Sequence, residues 1–190
     1  MEIESLSEII KKRRSYYASD FSERHLSKET VEIIIENGLW APTHKLTQPW
    51  RFSVLEGIHR QEMGVFMANY YREIFSVEEF SNERFEETKS YAKNATMIAI
   101  FCKPSSRLPE WEEVAAVSCA IQNIWLSCTA MNIGGYWDTG TATMKYVENH
   151  AEVKEGEKCL GVFFMGHLKE ELTEVNRKRK PLSKKLSWVE

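Results

Sequence analysis

The longest apolar stretches of the chain are Ala95 to Cys102 and Cys159 to Gly166. A strand with one face in water alternates apolar and polar residues, whereas a strand covered on both faces reads as a continuous apolar run. Neither run alternates, and both are far too short to span a bilayer. A fold that contains them must therefore place apolar cover above and below one sheet. Cover is at hand, because Glu110 to Met131 is the longest helical pattern in the chain. Val114, Val117, Ile121, Ile124, Trp125, Cys128 and Met131 line one broad face, with the small residues Ala115, Ala116 and Ala120 beside it. Buried strands interleaved with helices predict a three-layer α/β or α+β sandwich.

The remaining pattern is consistent with that. Ser5 and Glu8 form a capping-box signature, and Leu6, Ile9, Ile10 and Arg13 follow at helical spacing, so a first helix should reach Arg13 or Arg14. Ser27 is an N-cap candidate for a helix striped by Val31, Ile34, Ile35 and Leu39, ending near Gly38 before Pro42. Arg51 to Leu55 reads as a strand closed by Gly57. His59 to Lys93 reads as helical, and Thr96 to Cys102 and Lys158 to Met165 as strands. Gly134-Gly135 should stop the long helix, with Tyr136-Trp137 starting an extended segment. A chain of 190 residues with 43% hydrophobic residues suits one domain. The basic tail from about Leu168 to Glu190 ends in Leu186, Trp188 and Val189, which suggests that it docks.

Composition narrows the function classes. A net charge of −3 gives no general attraction to nucleic acid or anionic membrane. Met1-Glu2-Ile3-Glu4 lacks the apolar core of a signal peptide. Cys102, Cys119, Cys128 and Cys159 contain no C-x-x-C pair and sit in apolar surroundings, which predicts buried thiols in a reducing, cytoplasmic setting. No dinucleotide, P-loop or nucleophile-elbow signature occurs, and the five histidines lie apart from metal-ligand partners, so no metal site is expected. Any redox or transfer chemistry would come from a cofactor.

Three constellations remain. Arg13-Arg14-Ser15 offers two guanidinium groups and a hydroxyl to a phosphate; taken alone, cations at a helix C-terminus more often just complement its dipole. Ala41 to Phe52, with Thr43, His44, Lys45 and Gln48 between two prolines, has the character of a rigid binding loop; it also suits a crossover whose Trp50 and Phe52 fill the core. Gly134 to Gly140 combines glycines that admit a close ligand with Trp137, Asp138 and Thr139; a tight turn after a helix would look the same.

Taken in order, the Arg-Arg-Ser, the Ala-Pro-x-His-Lys-x-x-Gln-Pro-Trp-x-Phe loop and the Gly-Gly-x-Trp-x-x-Gly segment resemble the nitroreductase family, especially its short YdjA-like branch. The resemblance runs from about Leu6 to Gly166. It implies an α+β fold: a three-layer α/β/α sandwich with a mixed, mostly antiparallel sheet flanked by helices. It implies FMN in two sites at a homodimer interface, with NADH or NADPH as electron donor and a small-molecule acceptor such as a nitroaromatic or quinone. In that reading Arg13, Arg14 and Ser15 hold the phosphate and ribityl side, and Thr43 and His44 reach the flavin from the partner subunit. Trp137, Asp138 and Thr139 lie along the isoalloxazine ring. Of the tail's Arg177-Lys178-Arg179-Lys180-Pro181, Arg179 is the better phosphate candidate and Arg177 the second.

The chain departs in places from the family pattern that it resembles. Leu46 stands where many carry Asn, and Trp40 where the branch can carry Arg. Trp137-Asp138-Thr139 replaces Trp-Arg-Ser, setting an acid where a base stands beside the ring. No side chain is positioned as an obligatory nucleophile, so hydride transfer through flavin N5 by a ping-pong sequence is expected. A specialised dehalogenating or flavin-fragmenting relative would need a lid, for which Tyr70 to Lys93 is available. A nucleic-acid-binding module using Arg177 to Lys185 is disfavoured by the acidity elsewhere and the absence of a stacking motif.

Overall fold

The computed structural model describes residues 3–169 and 177–189. Its centre is strand β2 (Thr96–Cys102), in which every residue is buried. It pairs antiparallel on one side with β1 (Trp50–Leu55) and on the other with β4 (Lys158–His167), which in turn pairs antiparallel with β3 (Ile133–Asp138). The order β1-β2-β4-β3 places the two apolar runs in the middle of the sheet. Their side chains alternate between two cores. Met97, Ala99, Phe101, Val162 and Phe164 face one way. Ile98, Ile100, Phe163 and Met165 face the other.

Helices cover both faces. Over the first lie α3 (His59–Ile74) and α6 (Thr141–His150), which contribute Met63, Met67, Tyr146 and Val147. Over the second lie α2 (Lys28–Leu39) and α5 (Glu110–Ala130), which contribute Ile34, Val117, Ile121 and Ile124. α1 (Ile3–Lys12) packs on α5, and α4 (Asn82–Lys89) on α3. The expected sandwich stands, and all described strand pairings are antiparallel. Among the described residues no helix is long and apolar enough to cross a membrane.

Several local expectations change. Ser5 lies inside α1 instead of capping it. The 59–93 stretch is two helices, the second restarted by Ser81, whose side chain accepts from the Arg84 N–H. α6 is absent from the sequence-based reading. α5 ends where Asn132 adopts a left-handed φ of 54°, not at the glycines, which lie inside β3. There they make room: a Cβ on Gly134 would come 2.3 Å from Leu168 and 2.9 Å from Phe21. Only Cys102 and Cys128 are buried; Cys159 is half-buried, and Cys119 is exposed because it projects from α5 away from the core.

One glycine positions the site. A bulge in the β2–β4 pairing falls between Ile100 and Phe101, opposite Gly161, whose φ is +117°. A Cβ there would stand 2.2 Å from the Asp138 carbonyl oxygen. The close approach brings β3 against the bulge, where the Trp137 indole N–H donates to the Leu160 carbonyl at 2.9 Å.

Candidate active site

The chain leaves α1 as Arg13-Arg14-Ser15 and runs directly to β3, where the Tyr16 N–H donates to the Gly135 carbonyl at 3.2 Å. The Arg13 guanidinium lies 4.4 Å from the centre of the Trp125 ring on α5, and the Trp125 indole N–H donates to the Arg14 carbonyl at 3.2 Å. Arg14 stacks on Tyr16 at 4.7 Å. From the tail, the Arg177 guanidinium donates to the Lys11 and Arg13 carbonyls, satisfying backbone oxygens at the helix end. Among the described residues Arg179 bonds only its neighbour's carbonyl, Lys178 O, at 3.2 Å. Partial burial, followed by the charges of Arg177 and Arg179, pushes the Arg13 pKa below the ordinary guanidinium value. Among the described residues, no carboxylate lies within ion-pair distance of Arg13, Arg14, Arg177 or Arg179. Like charges gathered in this way offer an anion cradle.

At the other end of β3 lie Trp137, Asp138 and Thr139, on the wall of a cleft of about 440 Å³. Tyr17, Tyr71, Tyr91 and Tyr136 also line it. Tyr136 stacks on Phe164 with ring centres 5.0 Å apart, and its hydroxyl lies 2.7 Å from that of Tyr91. Burial raises the Tyr136 pKa first, with Tyr91 and the Asp138 charge adding to it. Asp138 is half-buried, and its carboxylate accepts the Gly140 N–H at 2.6 Å. It therefore closes the turn into α6 from the wall of the cleft.

Thr43 and His44 sit elsewhere, at a short 3-10 turn over residues His44–Leu46. His44 Nδ1 is 2.6 Å from a Glu112 carboxylate oxygen. Behind it Glu113, 1% exposed, accepts from the Thr47 hydroxyl at 2.8 Å and the Ser105 N–H at 3.3 Å. Lys45, Leu46 and Gln48 all have positive φ, at 53°, 56° and 46°. Glu112 and Trp125 are thirteen positions apart on α5, or roughly 20 Å at 1.5 Å per residue. The chain thus joins Arg13, Arg14 and Ser15 to β3 and holds Thr43 and His44 at the far end of α5.

Sequence reasoning missed the acidic pair that anchors this loop, since carboxylates in a helix's first turn read as dipole partners. It also missed Tyr17, Tyr91 and Tyr136, which no spacing rule connects.

An α+β sandwich with an anion cradle and an aromatic cleft along one edge strand defines a class of ligand-binding folds. A model of the nitroreductase family matches residues 10–167. The chain belongs to the nitroreductase family. It is 27% identical over 164 residues to the "Putative NAD(P)H nitroreductase YdjA" of Escherichia coli (strain K12), covering 84% of this chain and 86% of that protein. A nitroreductase-like protein from Bacillus cereus has the same fold, with a TM-score of 0.79 and 21% identity over 100% of this chain and 98% of that one. A Bacteroides fragilis nitroreductase with bound FMN gives 0.71 at 19% identity, covering 97% and 98%.

Proposed function

We propose that this protein is an FMN-dependent NAD(P)H oxidoreductase, working as a homodimer with flavin sites between subunits and reducing an electron-poor acceptor such as a nitroaromatic or quinone. The observation that carries this reading is the arginine cluster at the end of α1, with no carboxylate in ion-pair distance among the described residues, adjoining an edge strand whose other end opens onto an aromatic cleft. Solved structures of family members from Bacteroides fragilis and Desulfovibrio desulfuricans contain FMN. Bound FMN supplies the hydride-accepting and hydride-donating centre.

The residues present fit such a group. Arg13, Arg14 and Ser15 serve the phosphate and ribityl side. Arg177 donates to the Lys11 and Arg13 carbonyls and so pins the tail, while Arg179 keeps donors free among the described residues. Trp137, Asp138 and Thr139 flank the ring, and Asp138 sets negative charge there. A single cradle without a dinucleotide fingerprint favours FMN over FAD.

Thr43 and His44 lie too far along α5 to meet Arg13 of the same chain, so they serve the site of a partner subunit. The surface around them is apolar: Trp40, Leu46 and Trp111 are 82%, 80% and 70% exposed. α5 shows Ala115 and Cys119 outward, a strip of small side chains that admits a second helix closely. The tail carries Trp188 and Val189 outward, and docks on the partner. Donor and acceptor use the same cleft in turn, which gives ping-pong kinetics.

Heat release and chromatography of the flavin from purified protein tests the reading. FMN is expected; FAD, or no flavin after reconstitution, refutes it. Light scattering of the flavin-bound form should give a dimer, and a flavin-bound monomer would refute the shared site.

A further inference from the structure

Two clefts meet at Tyr91. The tyrosine-lined one beside β3 shares Thr88 and Tyr91 with a second cleft of about 540 Å³. The second has different chemistry, with walls that include Ser19, Ser90, Lys93, Asn94 and Lys169. Lys169 Nζ donates to the Ser19 carbonyl at 2.6 Å, which holds the ammonium over the cleft and leaves two of its three donors. Lys93 enters no ion pair among the described residues. Among the described residues Glu87 is the single acid of this wall, so one carboxylate faces two ammonium groups.

The junction is polar and asymmetric. Tyr136 is 6% exposed and Tyr91 half-buried. Two hydroxyls 2.7 Å apart place one hydrogen between them and leave one over. Either hydroxyl can be the donor; where the deeper Tyr136 donates, the spare O–H is that of Tyr91, at the boundary of both clefts. Half-buried on a cleft wall, that O–H can donate to an acceptor atom on whatever fills the space.

We infer that the two clefts form one groove for a flat aromatic compound bearing an anionic substituent: ring among Tyr17, Tyr71 and Tyr136, a ring-borne oxygen on the Tyr91 hydroxyl, and the anion at Lys93 and Lys169. Each cleft has the volume of a small-molecule pocket, and together they suit a ligand longer than one ring. The inference rests on the flavin reading only in calling this compound an electron acceptor.

Calorimetric titration of the purified protein, without nicotinamide so that nothing turns over, compares 4-nitrobenzoate with its neutral isostere 4-nitrobenzamide. The acid should bind at least tenfold more tightly, the ratio set by one charge-assisted contact. Lys93→Gln with Lys169→Gln should abolish that preference while the amide's affinity stays. Tyr91→Phe should weaken both ligands several-fold. Equal affinities in the wild type, or a preference that survives the double substitution, overturns the inference. Flavin content measured on the same samples separates the two readings: absent FMN refutes the proposed function, whereas the acid preference is read either way. Thermal melts establish that each variant is folded; should Tyr91→Phe not be, the lysine pair decides alone.

Discussion

Replacing Arg13 by alanine separates the binding role of the cradle from any structural role. In the free protein the substitution removes a guanidinium stacked 4.4 Å from Trp125, worth about 0.5–1 kcal/mol at a partly exposed site. It also removes a charge on which Arg177 and Arg179 act unfavourably. That repulsion is of similar size, about 1 kcal/mol at an effective dielectric near 20 with salt screening. The two effects nearly cancel, so the melting temperature of the flavin-free protein should move by less than about 4 °C. Flavin binding has no such compensation. Loss of one charge-assisted contact to a phosphate costs about 1.5–3 kcal/mol, or roughly 10- to 150-fold in Kd. Fluorescence titration of FMN into wild-type and Arg13→Ala apoprotein gives the first number, and a thermal melt of the same samples the second. Arg13→Lys should fall between, since it keeps the charge and loses the bidentate fork. Unchanged FMN affinity, or a loss of stability as large as the loss of binding, would refute the reasoning and return Arg13 to a helix-end role.

Three further outcomes are expected. Glu113→Ala removes a buried carboxylate that holds both Thr47 and Ser105; it should destabilise by about 2–4 kcal/mol, read as a lower urea midpoint, and release the His44 loop to proteolysis. Glu157 is held below its usual carboxyl range first by the Arg51 hydrogen bonds, so its contribution is fully present above about pH 4.5 and drains as pH falls through the lower folded value; Arg51→Met should cost about 3–5 kcal/mol at neutral pH and flatten that acid limb in pH-dependent denaturation. Asp138→Asn keeps an oxygen for the Gly140 N–H but drops the charge, so the flavin potential should rise by an amount on the order of tens of millivolts; spectroelectrochemistry showing no change would place the Asp138 charge outside the ring's reach.

Legibility followed burial. β2, β4 and α5 lie in the sequence almost where the structure has them, because a segment covered on both faces, or a long one with a broad apolar stripe, leaves a pattern with little competition. α6 was missed because only Ala142, Thr143, Tyr146 and Val147 turn inward over ten residues that begin with threonines. Gly134 and Gly135 were misjudged for a different reason. Glycine marks both helix ends and close contacts, and only Phe21, Leu168 and Phe163 packed against them show which applies. The Arg13-Arg14-Ser15 segment was visible as chemistry, but its meeting with Arg177 spans 164 positions, and Tyr91 with Tyr136 spans 45. Such contacts are properties of topology, and no local spacing rule encodes them.

The loop over Lys45, Leu46 and Gln48 has a consequence for timing. Three non-glycine residues in left-handed conformations cost of the order of 1–3 kcal/mol each, and what opposes that cost is a carboxylate on α5, 66 positions away from Thr47. The loop therefore takes its final shape only after α5 has docked, and it is the first part to let go. Its amides should exchange with solvent by local opening while those of β2 wait for global unfolding. A segment that closes last and opens first is well suited to stand at a boundary between two subunits, where its shape can be completed by what it meets.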